Sequence, residues 1–220
     1  MLFYAMLMAM VSGPEPTKTI GILAFDDVLT SEVTAPAEVF GMAANREWFK
    51  DWQVRLIGAS NAKTITTAEG VTLVVDILLE EAPDVDVLIV PGAYQLEKLY
   101  RNRQLMTYIQ RHAEKGRWIA SNCSGAFVLG RAGVLDGYRA TTWHGGQGDL
   151  SQEYTKIKVV EDQPIVLDRK RLTSNGGVVS YGAAFVLLAK LTDKEKAEEI
   201  HQHLQTGRLR PWKELRKLMP

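Results

Sequence analysis

The sequence predicts an α/β domain: a three-layer αβα sandwich with a mostly parallel sheet and a nucleophile elbow. Three observations predict it. Strand-like and helix-like stretches alternate from Lys18 to Asn122, the pattern of strands joined by crossover helices. The run from Asp86 to Gly92 is apolar on both faces, as suits a strand covered on both sides. An apolar stretch then stops at Cys123, where the turn Cys-Ser-Gly-Ala-Phe-Val-Leu-Gly opens a helix, the layout in which a strained turn presents a nucleophile.

Taken in order, Thr19 to Phe25 is an apolar run with β-branched residues, closed by Asp26-Asp27, and reads as the first buried strand. Apolar residues at 35, 39, 40 and 43 predict a helix over 34–44, with Pro36 tolerated in its first turn. That places Glu32 in the first strand-to-helix loop. Gln53 to Gly58 alternates as a strand, and 64–76 holds two short β-like runs around Glu69-Gly70, a hairpin insertion. After the strand at Asp86, a helix is expected from Leu96 to Lys115, ended by Gly116. Arg117 to Asn122 leads into Cys123. Short β pieces are expected near 139–142, 157–160 and 164–173, then a closing helix from Ser180 to Leu191. The charged tail from Thr192 is helix-forming and is broken by Gly207 and Pro211.

At 220 residues the chain suits one domain. We place it at 17–192, with an apolar extension at 1–16 and a helical tail at 193–220 packing on the same domain. Apolar residues make up 46% and charged residues 24%, which excludes disorder and coiled coil. Lys plus Arg and Asp plus Glu number 26 each, so no net charge invites nucleic acid. One cysteine permits neither an internal disulfide nor a Cys-rich zinc site. The apolar run Met1 to Val11 is 11 residues long, short of the roughly 20 that span a bilayer. It also lacks the cationic start of a signal peptide, since the first cation is Lys18; a cytoplasmic location is expected. His112, His201 and His203 lie on charged helical stretches and read as solvated, and no metal site is expected. Arg208, Arg210, Lys213, Arg216 and Lys217 around Trp212 read as a packed or solvated terminal helix.

In a parallel sheet the reactive groups gather where strands end and loops cross to helices. Glu32, Gly92, Cys123 and Ser124 all fall there. Helix-start amides at Cys123 favour a thiolate, predicting a low-pKa nucleophile; the alternative is a buried cysteine serving as a small apolar filler. Glu32 beside a thiolate would be desolvated and repelled, which raises its pKa and lets it act as acid, then base; otherwise it is a solvated helix-start charge. The amide after Gly92, that of Ala93, together with the Ser124 amide, can face a developing negative charge, unless Pro91-Gly92 is only a turn.

Five motifs in order carry a resemblance over roughly residues 18–192: Ser-Glu-Val-Thr-Ala-Pro-Ala-Glu-Val-Phe around Glu32, Ile-Val-Pro-Gly-Ala, Ser-Asn-Cys-Ser-Gly-Ala, Asp-Gly-Tyr-Arg-Ala-Thr-Thr-Trp-His, and Thr-Ser-Asn-Gly-Gly. Together they resemble the ThiJ/PfpI superfamily, of class I glutamine amidotransferase-like fold. The motifs are most similar to the isonitrile hydratase-like branch, with an acid before Thr-Gly-Pro, a hydroxyl residue after the cysteine and an Ala-Thr-Thr-His-Trp segment. This chain departs in three places: Glu32 replaces an Asp, Ala93 replaces the second Gly of Pro-Gly-Gly, and Trp143-His144 inverts the last pair.

The resemblance implies a cysteine-dependent, cofactor-independent hydrolase or lyase acting on a small molecule as a homodimer. Cys123 would be the nucleophile, Glu32 the proton carrier, and Ser124 with the amides near Gly92 would orient and polarise. Peptidase members carry His after the nucleophile, where this chain has Ser124, so peptidase activity is disfavoured. A regular strand over 140–144 aims Trp143 into the pocket and His144 away, because side chains alternate. A glyoxalase or deglycase would need the reverse. The remaining alternatives are a redox-sensing or chaperone-like protein with an oxidisable Cys123, and the sensing domain of AraC-type regulators, for which the roughly 29 residues after Leu191 are too few to add a DNA-binding region.

Overall fold

A computed structural model of the chain describes residues 16–60, 62–209, 211 and 214. The expected apolar extension and the basic tail beyond Leu209 lie almost wholly outside the described residues. The elements in chain order are β1 (Lys18–Ala24), α1 (Thr30–Ala44), β2 (Trp52–Gly58), β3 (Thr64–Thr66), β4 (Thr72–Val74), β5 (Ile77–Leu78), β6 (Val87–Val90), α2 (Glu97–Arg101) and α3 (Arg103–Glu114). The second half adds β7 (Trp118–Asn122), α4 (Gly125–Arg131), β8 (Arg139–Ala140), α5 (Gln147–Glu153), β9 (Lys158–Val159), β10 (Ile165–Asp168), β11 (Arg171–Ser174), α6 (Val179–Leu191) and α7 (Lys194–His203).

Seven strands form one sheet in the order β10-β11-β7-β6-β1-β2-β5. Every neighbouring pair is parallel except the β10–β11 hairpin. The strands at its centre are apolar on both faces, and all four residues of β6 are buried, because helices cover both sides. Helices α1, α6 and α7 pack together as one layer, and α2 packs on α3 and α4 in the other. Ile22, Leu88, Ile119, Phe40 and Leu129 are fully buried in the core between them. The 64–76 insertion is a two-stranded hairpin, β3 paired antiparallel with β4. Among the described residues no helix is long and apolar enough to cross a membrane.

Four local expectations are corrected. Helix α1 begins at Thr30, four residues before the expected start, so Glu32 sits in its first turn and not in a loop. Its preceding residue, Leu29, has no capping side chain. The cap comes instead from the distant hairpin, where Glu69 accepts the Thr30 N–H at 2.9 Å and the Thr30 hydroxyl at 2.6 Å. A local pattern cannot register a cap supplied from 39 residues away.

The long helix expected over 96–115 is two helices, because Asn102 takes an extended conformation and its side chain caps α3 by accepting from the Leu105 N–H at 3.0 Å. The β piece expected over 164–173 is the β10–β11 hairpin, turning at Arg169 with φ +54. His112 is buried rather than solvated. Its Nε2 lies 2.9 Å from the Trp118 carbonyl, and burial pushes its pKa down to about 4.

Candidate active site

Cys123 stands between the end of β7 and the start of α4, with φ +50. A left-handed backbone at a residue with a Cβ costs about 1–2 kcal/mol, so the surroundings must hold it. They do so at both ends. The Cys123 N–H donates to the Ser174 carbonyl at 2.9 Å, and the Cys123 carbonyl accepts from the buried Thr142 hydroxyl at 2.8 Å. Asn175 in turn donates to the Thr142 carbonyl. The cysteine's backbone is thereby pinned by two segments that follow it by 19 residues and more.

Glu32 is fully buried. Its Oε2 accepts the Gly92 N–H at 2.6 Å and its Oε1 the Gly177 N–H at 3.4 Å. Burial raises its pKa, and these two amides and the Cys123 side chain oppose the rise. Its main chain is tied to β7, the strand that leads into Cys123, as well. Pro36 lies inside α1 and has no N–H for the Glu32 carbonyl, four residues back. That freed carbonyl accepts the Asn122 side-chain amide at 3.3 Å, and Asn122 Oδ1 accepts the Ser174 hydroxyl at 2.7 Å. A helix-interior proline thus couples the acid to the residue beside the cysteine.

The electrostatics of the thiol run opposite to the sequence expectation. Burial, followed by the charge of Glu32, pushes the Cys123 thiol up to about 12, and the Ser124 amide only partly offsets them. At neutral pH the sulfur keeps its proton. Both Glu32 oxygens accept backbone N–H groups, the arrangement of a carboxylate held in place, rather than of an acid donating to a thiolate.

Of the two amides expected to face a developing charge, that of Ser124 faces the Cys123 sulfur, and that of Ala93 is engaged elsewhere. The Gly92 N–H is spent on Glu32. The Ala93 N–H donates to the Ser124 hydroxyl at 2.9 Å, and that hydroxyl donates back to the Ala93 carbonyl at 2.7 Å. The Ala93 half of the expected anion cradle is therefore occupied by the Ser124 hydroxyl, while the Ser124 amide stays beside the sulfur. Gly92 allows this approach, because a Cβ there would meet the Ser124 Oγ at 2.6 Å.

Trp143 lines the cavity over Cys123 and stacks on Phe127 at 4.9 Å, while His144 is exposed. The reason is not strand alternation, since β8 ends at Ala140. The chain turns after Trp143, where the Gly146 N–H donates to the Trp143 carbonyl at 3.0 Å, and Gly146 leaves space into which the indole packs. The cavity holds about 800 Å³ and is walled by Leu29, Leu96, Tyr100 and Phe127 as well as by Glu32, Cys123 and Ser124. Among the described residues no group of three or more His, Cys, Asp or Glu is arranged to hold a metal ion.

Sequence reasoning missed Thr142, Asn122, Asn175 and Gly176 as members of the site. Gly176 has φ +81, and a Cβ there would lie 2.3 Å from Glu32 Oε1 and 2.5 Å from the Cys123 Cβ. Its signal was present in the Asn175-Gly176-Gly177 run, a sequence in which the backbone can turn left-handed and approach closely.

Comparison with known proteins agrees with this architecture. Isonitrile hydratase from Pseudomonas putida is 30% identical over 186 residues, covering 84% of this chain and 77% of that protein. The HTH-type transcriptional regulator GbdR of Pseudomonas aeruginosa is 24% identical over 88% of this chain, but the match spans only 52% of the regulator. Drosophila melanogaster DJ-1beta superposes with a TM-score of 0.77 at 21% identity, covering 86% of this chain and 97% of that one. Residues 18–189, from the first strand to the end of α6, match the DJ-1/PfpI family, and the chain belongs to that family.

Proposed function

We propose that the chain is a cysteine-dependent enzyme of isonitrile-hydratase type, converting an isonitrile and water to an N-substituted formamide. The observation that carries the reading is the depleted anion cradle: the Gly92 and Ala93 amides are bound to Glu32 and Ser124, which removes one of the two donors expected for an oxyanion. Acyl transfer and carbonyl chemistry develop charge on oxygen and gain about 10²- to 10³-fold from each free donor. An isonitrile has no oxygen, and thiol addition places the new charge and the proton on carbon and nitrogen.

In the first step Glu32 takes the Cys123 proton as sulfur attacks the terminal carbon. The proton passes to that carbon, giving a thioimidate, R–N=CH–S. Its raised pKa makes Glu32 a stronger base than an ordinary carboxylate, and a thiol of high pKa gives a strongly nucleophilic anion once deprotonated. In the second step Glu32 takes a proton from water as its oxygen adds to the same carbon and the nitrogen gains a proton. Collapse expels the sulfur, which regains its proton, and releases R–NH–CHO. Trp143 and Phe127 supply an apolar wall for an uncharged reacting group. The glyoxalase or deglycase reading is weaker, since the histidine it needs is exposed.

Further parts of the reading are a single domain over 17–192 with its tail packed on it, a homodimer, and a cytoplasmic location suited to one unpaired thiol. The test is turnover of a small alkyl isonitrile, followed by NMR of the formamide, beside a 2-oxoaldehyde and with Cys123→Ser as control. Formamide production lost in Cys123→Ser is expected. Consumption of the 2-oxoaldehyde alone would replace this reading with the glyoxalase one.

A further inference from the structure

The cavity over Cys123 carries charge of one sign. Glu69, Glu97, Asp149 and Glu153 line it beside Glu32, with no lysine or arginine, although the whole chain balances 26 cations against 26 anions. These four outer carboxylates come from three separate elements. Glu69 sits on the β3–β4 hairpin, Glu97 begins α2, and Asp149 and Glu153 lie four apart on one face of α5. Among the described residues none of the four takes part in an ion pair. Glu69 is held ionised by the Thr30 hydroxyl and N–H, and its charge reaches far enough to help raise Glu32. Arg131 stands 6.0 Å from the Tyr100 ring centroid but does not line the cavity.

A second feature points the same way. The walls between these carboxylates are aromatic: Tyr94, Tyr100, Phe127 and Trp143. Tyr94, one of the lining residues, is 80% exposed, leaving most of a large ring in water. Ring faces attract cations, and ammonium groups in particular. The cavity, at about 800 Å³, is also far larger than the reacting carbon and nitrogen need, so it has room for a remote group.

We propose that this cavity selects substrates bearing a positive charge on the group remote from the reacting carbon, an ammonium or quaternary ammonium seated among the outer carboxylates and ring faces, and that it excludes anions. The proposal concerns the same cavity and rests on Cys123 being its nucleophile. Glu97 and Asp149 act as specificity residues, and Glu153 and Glu69 add to the field.

The test needs no isonitrile. Alkylation of Cys123 by 2-bromoethylammonium, iodoacetamide and iodoacetate is followed by intact mass, each rate divided by that of the same reagent with free cysteine. At low ionic strength the cation-to-anion ratio is expected to exceed about tenfold. At 1 M salt, where the Debye length is about 3 Å, it is expected to collapse toward one. The triple variant Glu97→Gln, Asp149→Asn, Glu153→Gln is expected to bring the low-salt ratio within about threefold of one. A wild-type ratio near one at low salt, or one that salt leaves unchanged, overturns the proposal. If reagents are discriminated but no isonitrile is hydrated, the charge selection stands and the reaction falls. If neutral isonitriles are hydrated without discrimination, the reverse holds.

Discussion

Replacing Glu32 by Gln separates two properties that ordinarily travel together in a cysteine enzyme: how easily the thiol ionises and how fast the enzyme turns over. The charge of Glu32 is the second largest cause holding the Cys123 thiol up at about 12, after burial. Two unit charges about 4 Å apart at an effective dielectric near 20 repel by about 4 kcal/mol, equivalent to about three pH units. Gln keeps the shape, retains one acceptor for the Gly92 amide, and removes the charge. Burial remains, so the midpoint of Cys123 alkylation against pH is expected to fall by roughly one to three units in the variant. Turnover should move the other way and fall by about 10²- to 10⁴-fold, since an amide accepts no proton. The assay is iodoacetamide alkylation followed by mass from pH 6 to 11, where the wild type stays on the rising limb below its midpoint and the variant's limb is displaced to lower pH, set beside the formamide-forming rate. A midpoint that stays put or rises would refute the placement of an ionised Glu32 against the sulfur. A lower midpoint with unimpaired turnover would show that Glu32 moves no proton in catalysis.

The same variant carries a stability signature. The folded protein holds the Glu32 proton more tightly than the unfolded chain, for which 4.5 is the ordinary value, so its burial costs stability increasingly as pH rises from there through the raised folded value. Glu32→Gln should therefore be more stable than wild type in urea at pH 8 and lose that advantage near pH 4.5; an advantage independent of pH would contradict the burial argument. Gly176→Ala forces a Cβ to within 2.3 Å of Glu32 Oε1 at a φ of +81 and is expected to cost about 2–4 kcal/mol and at least about 100-fold in turnover. Gly70→Ala, where φ is +84 with nothing nearby, should show only the backbone cost of about 1 kcal/mol in the same melts. Ser124→Ala frees the Ala93 N–H and is expected to raise hydrolysis of a p-nitrophenyl ester several-fold while slowing isonitrile hydration; loss of both activities would assign Ser124 to folding alone. His144→Ala should change kcat/KM less than about twofold, as befits an exposed side chain outside the cavity lining.

The sheet was legible because β1 and β6 are apolar on both faces and are punctuated by Asp26-Asp27 and Pro91-Gly92. Cys123 was legible as a strand-end group of reactive type, and Glu32 as a reactive group near it, though in a helix's first turn rather than a loop. What escaped was everything supplied across the chain. The cap that starts α1 early comes from Glu69, and the break after α2 depends on how Asn102 spends its side chain. The direction of the thiol shift escaped for the same reason. Helix-start amides are visible in sequence, but the burial that outweighs them is a property of the packed pocket. Thr142 and Asn175 looked like ordinary strand-end residues, because their partner is the main chain around Cys123.

The residues around the thiol are far apart in the chain: Glu32 near the start, Cys123 past the middle, and Gly177 and the Ser174 carbonyl beyond it. A chain emerging from the ribosome presents its carboxyl first, its sulfur next and the groups that fix them last. The docking of β11 beside β7 is what supplies the bond that holds the cysteine's backbone left-handed. Closing that pairing buries the thiol and raises its pKa toward 12. One strand pairing thus does two things to the sulfur: it fixes the backbone that carries it, and it completes the packing that sets it beside Glu32.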